Sequence, residues 1–183
     1  MTWLVTGALA AMYTPAWASW IRTAFPGVSL QVVVTRTAMQ FFGMKALEVF
    51  CDEPVLIDAW DADPPHQVDH VNLGEGTDAF VVHPATADFL GRFAGFECNS
   101  PTLLALQGTR APVVLGAALP PRLLDSTVWQ HYTSVLSERS NVILVPPLRG
   151  GRSVLAPTVE GHPPTPFDQI FVGLMKDLGV DHV

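Results

Sequence analysis

Charge is what this sequence has least of. Of its 183 residues, 15% are Asp, Glu, Lys or Arg, against roughly a quarter in an ordinary soluble domain. The 10 basic side chains, set against 17 acidic ones, form no run long enough to follow a phosphate backbone, which argues against nucleic-acid binding. Cysteine is nearly absent. Cys51 and Cys98 make neither a disulfide framework nor a paired-thiol metal motif, and they fit a reducing cytoplasm. No H-E-x-x-H pattern offers a metal site, and no G-x-S-x-G turn offers a serine nucleophile. G-x-G-x-x-G and the P-loop lysine are missing too, so the usual dinucleotide and nucleoside triphosphate fingerprints fail. Met1 to Ile21 carry no charged side chain. A secretory signal would need a basic residue ahead of the apolar part, and Gly7, Thr14, Pro15 and Ser19 interrupt any continuous membrane helix. No membrane span is expected.

Apolar residues, at 49%, are plentiful, and 16 prolines and 14 glycines occur without low-complexity tracts. One folded domain is expected, long enough to bury a core. Its charge-poor surface suits a subunit of an obligate assembly.

Short apolar runs alternate with helical patterns. Trp3–Thr6, Leu30–Thr35, Val55–Ile57, Ala79–Val82, Pro112–Ala117 and Val142–Val145 read as strands. The three valines of the second run suit a strand buried on both faces. Helices are expected after Thr14-Pro15, with Thr14 as N-cap, over 38–51 with Gly43 as an interruption, and over 86–94, 102–106, 123–137 and 167–178. Residues 61–69 read as a polar loop. Strands separated by helices give an α/β, Rossmann-like (flavodoxin-like) fold: one parallel sheet with helices on both faces. Ligands of such sheets lie beyond the carboxyl ends of the strands. That singles out the loops at 7–13, 35–41, 83–88, 116–124 and 146–166.

Each loop admits more than one reading. Gly7-Ala8 after the first strand is either a phosphate cradle or a plain tight turn. Thr35 and Thr37 offer hydroxyls to an anion, or Thr37 simply caps a helix. In His83-Pro84-Ala85-Thr86-Ala87-Asp88, small residues permit close contact with a flat ligand. Thr86 is an N-cap, a phosphate donor or both. Asp88 falls in a first helical turn, where a carboxylate is favoured regardless of function. His66 and His70 precede this strand. Histidine suits proton transfer near neutral pH, yet a surface or structural role is the common one.

Taken in order, these segments resemble the flavin-dependent cysteine decarboxylases. That family includes phosphopantothenoylcysteine decarboxylases and the peptidyl-cysteine decarboxylases of lantibiotic-type peptide pathways. Leu4-Val-Thr-Gly7-Ala8 is similar to the family's first strand and glycine turn, and VVVTRTAMQF, from Val32 to Phe41, to its second. His70-Val-Asn-Leu73 resembles "H-I-x-L", and AFVVHPATADFLGRFA, from Ala79 to Ala94, resembles "VVxPATANxxxKxA". The resemblance implies bound FMN. Its ring would lie against Pro84, Ala85 and Ala87, and its phosphate near Gly7, Ala8, Thr35, Thr37 and Thr86, with Phe41 and Asp88 beside it. It implies His70 as the active-site base. It also implies a homotrimer, or a dodecamer of four trimers, with the flavin at subunit contacts. A mobile substrate flap would span about 147–165 of a single domain covering 1–183.

The sequence also departs from the pattern. The family's "P-x-M-N-x-x-M-W" falls on Ala117 to Leu124, so the asparagine that holds the substrate carboxylate becomes Pro120, which offers neither a side-chain donor nor an N–H. Arg122, Arg149 and Arg152 are candidates to grip that carboxylate, alongside Asp88, or they are solvating charges. No cysteine occurs in the expected flap, as it does in phosphopantothenoylcysteine decarboxylases. The expected activity is therefore oxidative decarboxylation of the C-terminal cysteine of a ribosomally made precursor peptide. The product is an enethiol that can close an aminovinyl-cysteine ring. A non-catalytic FMN-binding regulatory or scaffold homologue is the alternative, and a flavin prenyltransferase-like enzyme a further one.

Overall fold

Val32, Val33 and Val34 are all fully buried, as a central parallel strand requires, and the rest of the architecture follows from strands of that kind. The computed structural model describes residues 1–64, 66–152, 158 and 160–180. Six strands pair in parallel: β1 (Thr2–Val5), β2 (Gln31–Val34), β3 (Leu56–Ile57), β4 (Phe80–Thr86), β5 (Val113–Ala118) and β6 (Val142–Val145). Their order across the sheet is β3-β2-β1-β4-β5-β6. Chain order therefore reverses between β1 and β4. That switch point opens a crevice at the carboxyl ends of the two strands.

Alternation along each strand feeds two cores. Trp3, Val5, Val32, Val34 and Val81 face one layer. It is closed by α1 (Thr14–Ala24) and α7 (Phe167–Asp177), whose Ile21, Phe167 and Phe171 are buried. Trp3 stacks on Phe167 with centroids 4.2 Å apart. Leu4, Val33, Phe80 and Val82 face the other layer. That layer is covered by α3 (His70–Glu75), α4 (Ala87–Ala94), α5 (Pro101–Gly108) and α6 (Thr127–Ser137). Each buried Leu or Phe contributes roughly 1.5–3 kcal/mol by leaving water. The α/β fold with helices on both faces is as the residue pattern predicts.

Local differences have local causes. Thr14 does not cap α1. A 3-10 turn over Leu9–Tyr13 runs directly into the helix, Tyr13 takes the cap position, and the Thr14 hydroxyl donates back to the Ala11 carbonyl at 2.7 Å. The helix expected over 38–51 is a 3-10 turn, Ala38–Gln40, and a short α2, Met44–Glu48, with Gly43 between them. Helix α3 was not visible as an apolar period. It starts because Asp69 accepts hydrogen bonds from the N–H groups of Val71 and Asn72. The expected flap is in part a two-stranded antiparallel ladder, β7 (Gly151–Arg152) with β8 (Glu160–Gly161). Its residues 153–157 and 159 lie outside the described residues. No helix among the described residues is long and apolar enough to cross a membrane.

Candidate functional site

Thr6 fixes the switch point. Buried at the end of β1, its hydroxyl donates to the Pro84 carbonyl at 2.6 Å and accepts from the Thr86 N–H at 3.1 Å. The β4–β5 register shifts here. Val82 pairs with Leu115 and Ala85 with Ala117, so His83 and Pro84 together oppose Gly116. Only glycine fits there, because a Cβ on Gly116 would lie 2.6 Å from the His83 ring and from Ile170. The Trp3 indole N–H donates to the His83 carbonyl at 2.8 Å. These ties deliver Ala85, fully buried, then Thr86 and Ala87, to the edge of the crevice. Thr86 caps α4 by accepting from the Phe89 N–H at 3.3 Å. Its own hydroxyl hydrogen is not used in that bond.

The crevice is a cavity of ≈ 520 Å³, within the roughly 300–1,000 Å³ of cofactor clefts. Gly7 to Ala10 from the β1 turn, Thr86 to Asp88, and Ala118 to Pro120 line it, with His162 and Pro164 on the outer side. Gly7 is obligatory by contact: an added Cβ would lie 2.4 Å from the Thr37 methyl. That contact brings the exposed Thr37 to the Gly7 turn. Thr37 occupies a cap position but its side chain makes no capping bond. Thr35 performs that task, accepting from the Ala38 N–H at 3.2 Å. Phe41 is half-buried against the α1 side of the core. Of the expected cofactor residues, Thr35, Thr37, Phe41, Pro84 and Ala85 line neither cavity; the small-residue lining with Gly7 and Thr86 fits a flat cofactor that carries a phosphate.

A second cavity of ≈ 500 Å³ adjoins the first and shares Leu9, Ala10, Leu119, His162 and Pro164 with it. Its wall is mostly apolar, including Met12, Tyr13, Trp17 and Phe167, with Arg152 at its edge. His83 also lines it. The His83 Nε2–H donates to the Thr165 carbonyl at 3.0 Å, and burial pushes its pKa down to about 4.

The other expected site residues are dispersed. Asp88 reaches the first cavity, but one of its oxygens accepts from both Arg92 Nε and Nη2, at 3.1 and 2.7 Å. The family-like Asn and Lys positions, one turn apart, are thus an Asp–Arg ion pair here. Arg149 pairs with Asp125 at 3.0 Å on the surface. Arg122 is exposed and lines neither cavity. Arg152 lines the second. His70, at the start of α3, also lines neither cavity. It packs edge-on against Trp60 with centroids 5.5 Å apart. His66 is engaged structurally, its Nδ1–H donating to the Val55 carbonyl at 2.9 Å. Among the polar residues lining the first cavity, His162 is the one that sequence reasoning did not single out. Its only signal was a position among prolines late in the long loop.

Comparison with known proteins agrees with this geometry. Residues 1–154 match the model of the Flavoprotein family. The cypemycin cysteine dehydrogenase (decarboxylating) of a Streptomyces species is 32% identical over 157 residues, 85% of this chain and 80% of that one. The crystal structure of the cypemycin decarboxylase CypD superposes with a TM-score of 0.72, at 30% identity, over 87% of this chain and 85% of that one. TvaF, an FMN-dependent cysteine decarboxylase from thioviridamide biosynthesis, gives a TM-score of 0.75 at 25% identity, over 97% and 96%. The bifunctional coenzyme A biosynthesis protein CoaBC of Mycobacterium tuberculosis is 34% identical over 122 residues, 64% of this chain. Those residues span only 28% of CoaBC.

Proposed function

Because the chain belongs to the Flavoprotein family, we propose that it is an FMN-dependent decarboxylase of the C-terminal cysteine of a precursor peptide. The observation that carries this reading is the cavity at the β1/β4 switch point, floored by Ala8, Ala10, Ala87 and Ala118. Gly7, Ala8, Thr35, Thr37 and Thr86 would hold the phosphate end of FMN. Pro84, Ala85 and Ala87 would back its ring, with Phe41 and Asp88 beside it. The first-turn N–H groups of α4 have no intrahelical partners and favour an anion at that end. When bound, FMN supplies a two-electron acceptor, so that a cysteine oxidised at Cβ can lose CO₂ and leave as an enethiol.

The chain's own residues do the rest. The apolar second cavity receives the peptide ahead of its last residue and excludes water there. The Asp88–Arg92 pair keeps the Asp88 charge balanced, which lowers the repulsion an anionic substrate would meet. Of the expected flap, Arg152 and Gly161 to Thr165 line the second cavity. His70 accepts the proton released when the substrate thiol reacts. Since His70 lines neither cavity of its own chain, it acts on the cavity of a neighbouring subunit. The working unit is accordingly a homo-oligomer, a trimer or four such trimers. Exposed Leu9, Met12 and Tyr13 at the cavity mouth, and exposed Trp60 and Val71 beside His70, provide the apolar surface that such contacts cover. The compartment is the cytoplasm, in keeping with two unpaired cysteines.

Pro120 is the observation that favours a second reading, a flavin-binding subunit without turnover. One experiment decides between them. The purified protein is expected to release FMN on denaturation. Under anaerobic conditions its flavin colour bleaches on addition of a peptide ending in cysteine, and not of the same peptide ending in serine. Flavin that no cysteine-ending peptide bleaches supports the second reading.

A further inference from the structure

The cavity floor at Pro120 offers no donor, and its other polar lining is committed elsewhere. Of the side chains that line this cavity, Thr86, Asp88 and His162 carry polar groups. Asp88 is an anion already paired with Arg92, and a carboxylate has no donor to offer another carboxylate. Thr86 caps α4. His162 differs from the two histidines with structural bonds, His66 and His83. Its Nδ1 is buried without a hydrogen-bond partner, and the residue is partly exposed on the border of both cavities. With Nδ1 closed off from solvent, Nε2 is the nitrogen left to meet a ligand.

The backbone around His162 is pinned, although its ring Nδ1 has no hydrogen-bond partner among the described residues. Gly161 before it is paired with Gly151 in the β7–β8 ladder. The Pro163 carbonyl after it accepts from the Leu148 N–H at 2.8 Å. Two residues further on, Thr165 is held through its carbonyl by His83 at 3.0 Å, and its hydroxyl donates to the Pro146 carbonyl at 2.9 Å. Prolines 163 and 164 restrict the intervening φ angles. An imidazole set this firmly with no such bond at Nδ1 is organised for a ligand.

We infer that His162 is a substrate-binding residue, donating from Nε2 to the terminal carboxylate of the peptide and supplying the contact that Pro120 cannot. This rests on the proposed peptide substrate, and binding measurements separate the two claims. The probe is a fluorescein-labelled Gly-Ser-Gly-Ala-Val-Ser hexapeptide, as free acid and as C-terminal amide, titrated into the FMN-loaded protein by anisotropy. A charge-assisted contact predicts that the acid binds about ten- to a hundredfold more tightly than the amide. His162→Ala is expected to abolish that preference while leaving amide affinity and flavin content unchanged. His162→Gln, which keeps a donor, is expected to restore part of it. A preference that survives His162→Ala overturns the inference, as does an equal loss of acid and amide binding, and as does an absence of preference in the unaltered protein. Loss of the preference in Arg152→Ala but not in His162→Ala overturns it as well, and assigns the carboxylate to Arg152. If the preference depends on His162 but the same peptide ending in cysteine is never decarboxylated, the carboxylate contact stands and the decarboxylase reading falls.

Discussion

His83 stays uncharged because its surroundings exclude water. Its pKa is held at about 4, below the usual 6.5, by burial, and the folded protein therefore binds fewer protons there than the unfolded chain does. Above pH 6.5 both states are neutral and the residue adds no pH dependence. As pH falls from 6.5 towards 4, only the unfolded state takes up the proton, and stability drops by up to about 3 kcal/mol. His83→Gln keeps a donor for Thr165 but cannot titrate. Urea midpoints measured across that pH window are expected to fall less steeply in this variant than in the unaltered protein. An unchanged slope would mean that His83 titrates normally. The sequence showed a histidine within the family-like segment. It could not show that the bulge opposite Gly116 turns that ring into the core, since this depends on register between strands distant in the chain.

At the scale of single elements, two short contacts shape the cofactor cleft. A Cβ at position 7 would collide with the Thr37 side chain, so Gly7→Ala is expected to cost roughly 1–3 kcal/mol and to lower the flavin bound per subunit. Thermal unfolding and flavin absorbance check the two effects separately. Thr86→Val removes the cap that receives the Phe89 N–H, at about 1 kcal/mol. It also removes the hydroxyl proposed to donate to the phosphate. Flavin content is expected to fall severalfold even when the melting temperature is restored by added FMN. Destabilisation with full flavin content would leave Thr86 a cap alone. Here the sequence was legible where chemistry is local. Thr86 before a helical period, and glycine directly after a strand, announce themselves. It was silent where capping replaces periodicity. Helix α3 is six residues held by the Asp69 carboxylate and by Asn72, whose side-chain amide donates to Asp69 at 2.8 Å. No apolar stripe marks it, although it carries His70.

At the scale of the whole molecule, the scarcity of charge finds its use in apolar faces at the cavity mouth and beside His70. One parallel sheet between two helical layers was readable because parallel strands are continuous apolar runs; the order of the strands across it was not. The separation of His70 from the cavity was not, since it concerns two surfaces of one subunit. If neighbouring subunits complete each other's sites, two inactive variants should complement. His70→Asn lacks the proposed base, and Ala87→Leu fills the cavity floor. Subunits of the two, mixed and reassembled, are expected to regain a fraction of the activity that neither homo-oligomer shows. No recovery in verified mixed oligomers would place His70 and the flavin on one subunit.

The central claim is that this chain removes CO₂ and two hydrogens from a C-terminal cysteine. The most direct measurement is mass spectrometry of a precursor peptide ending in cysteine after incubation with the FMN-loaded protein in air. The account predicts a product lighter by CO₂ plus two hydrogens, trapped by a thiol reagent as the enethiol, and abolished by His70→Asn. Full FMN occupancy with the peptide mass unchanged, for its cognate peptide, would contradict it.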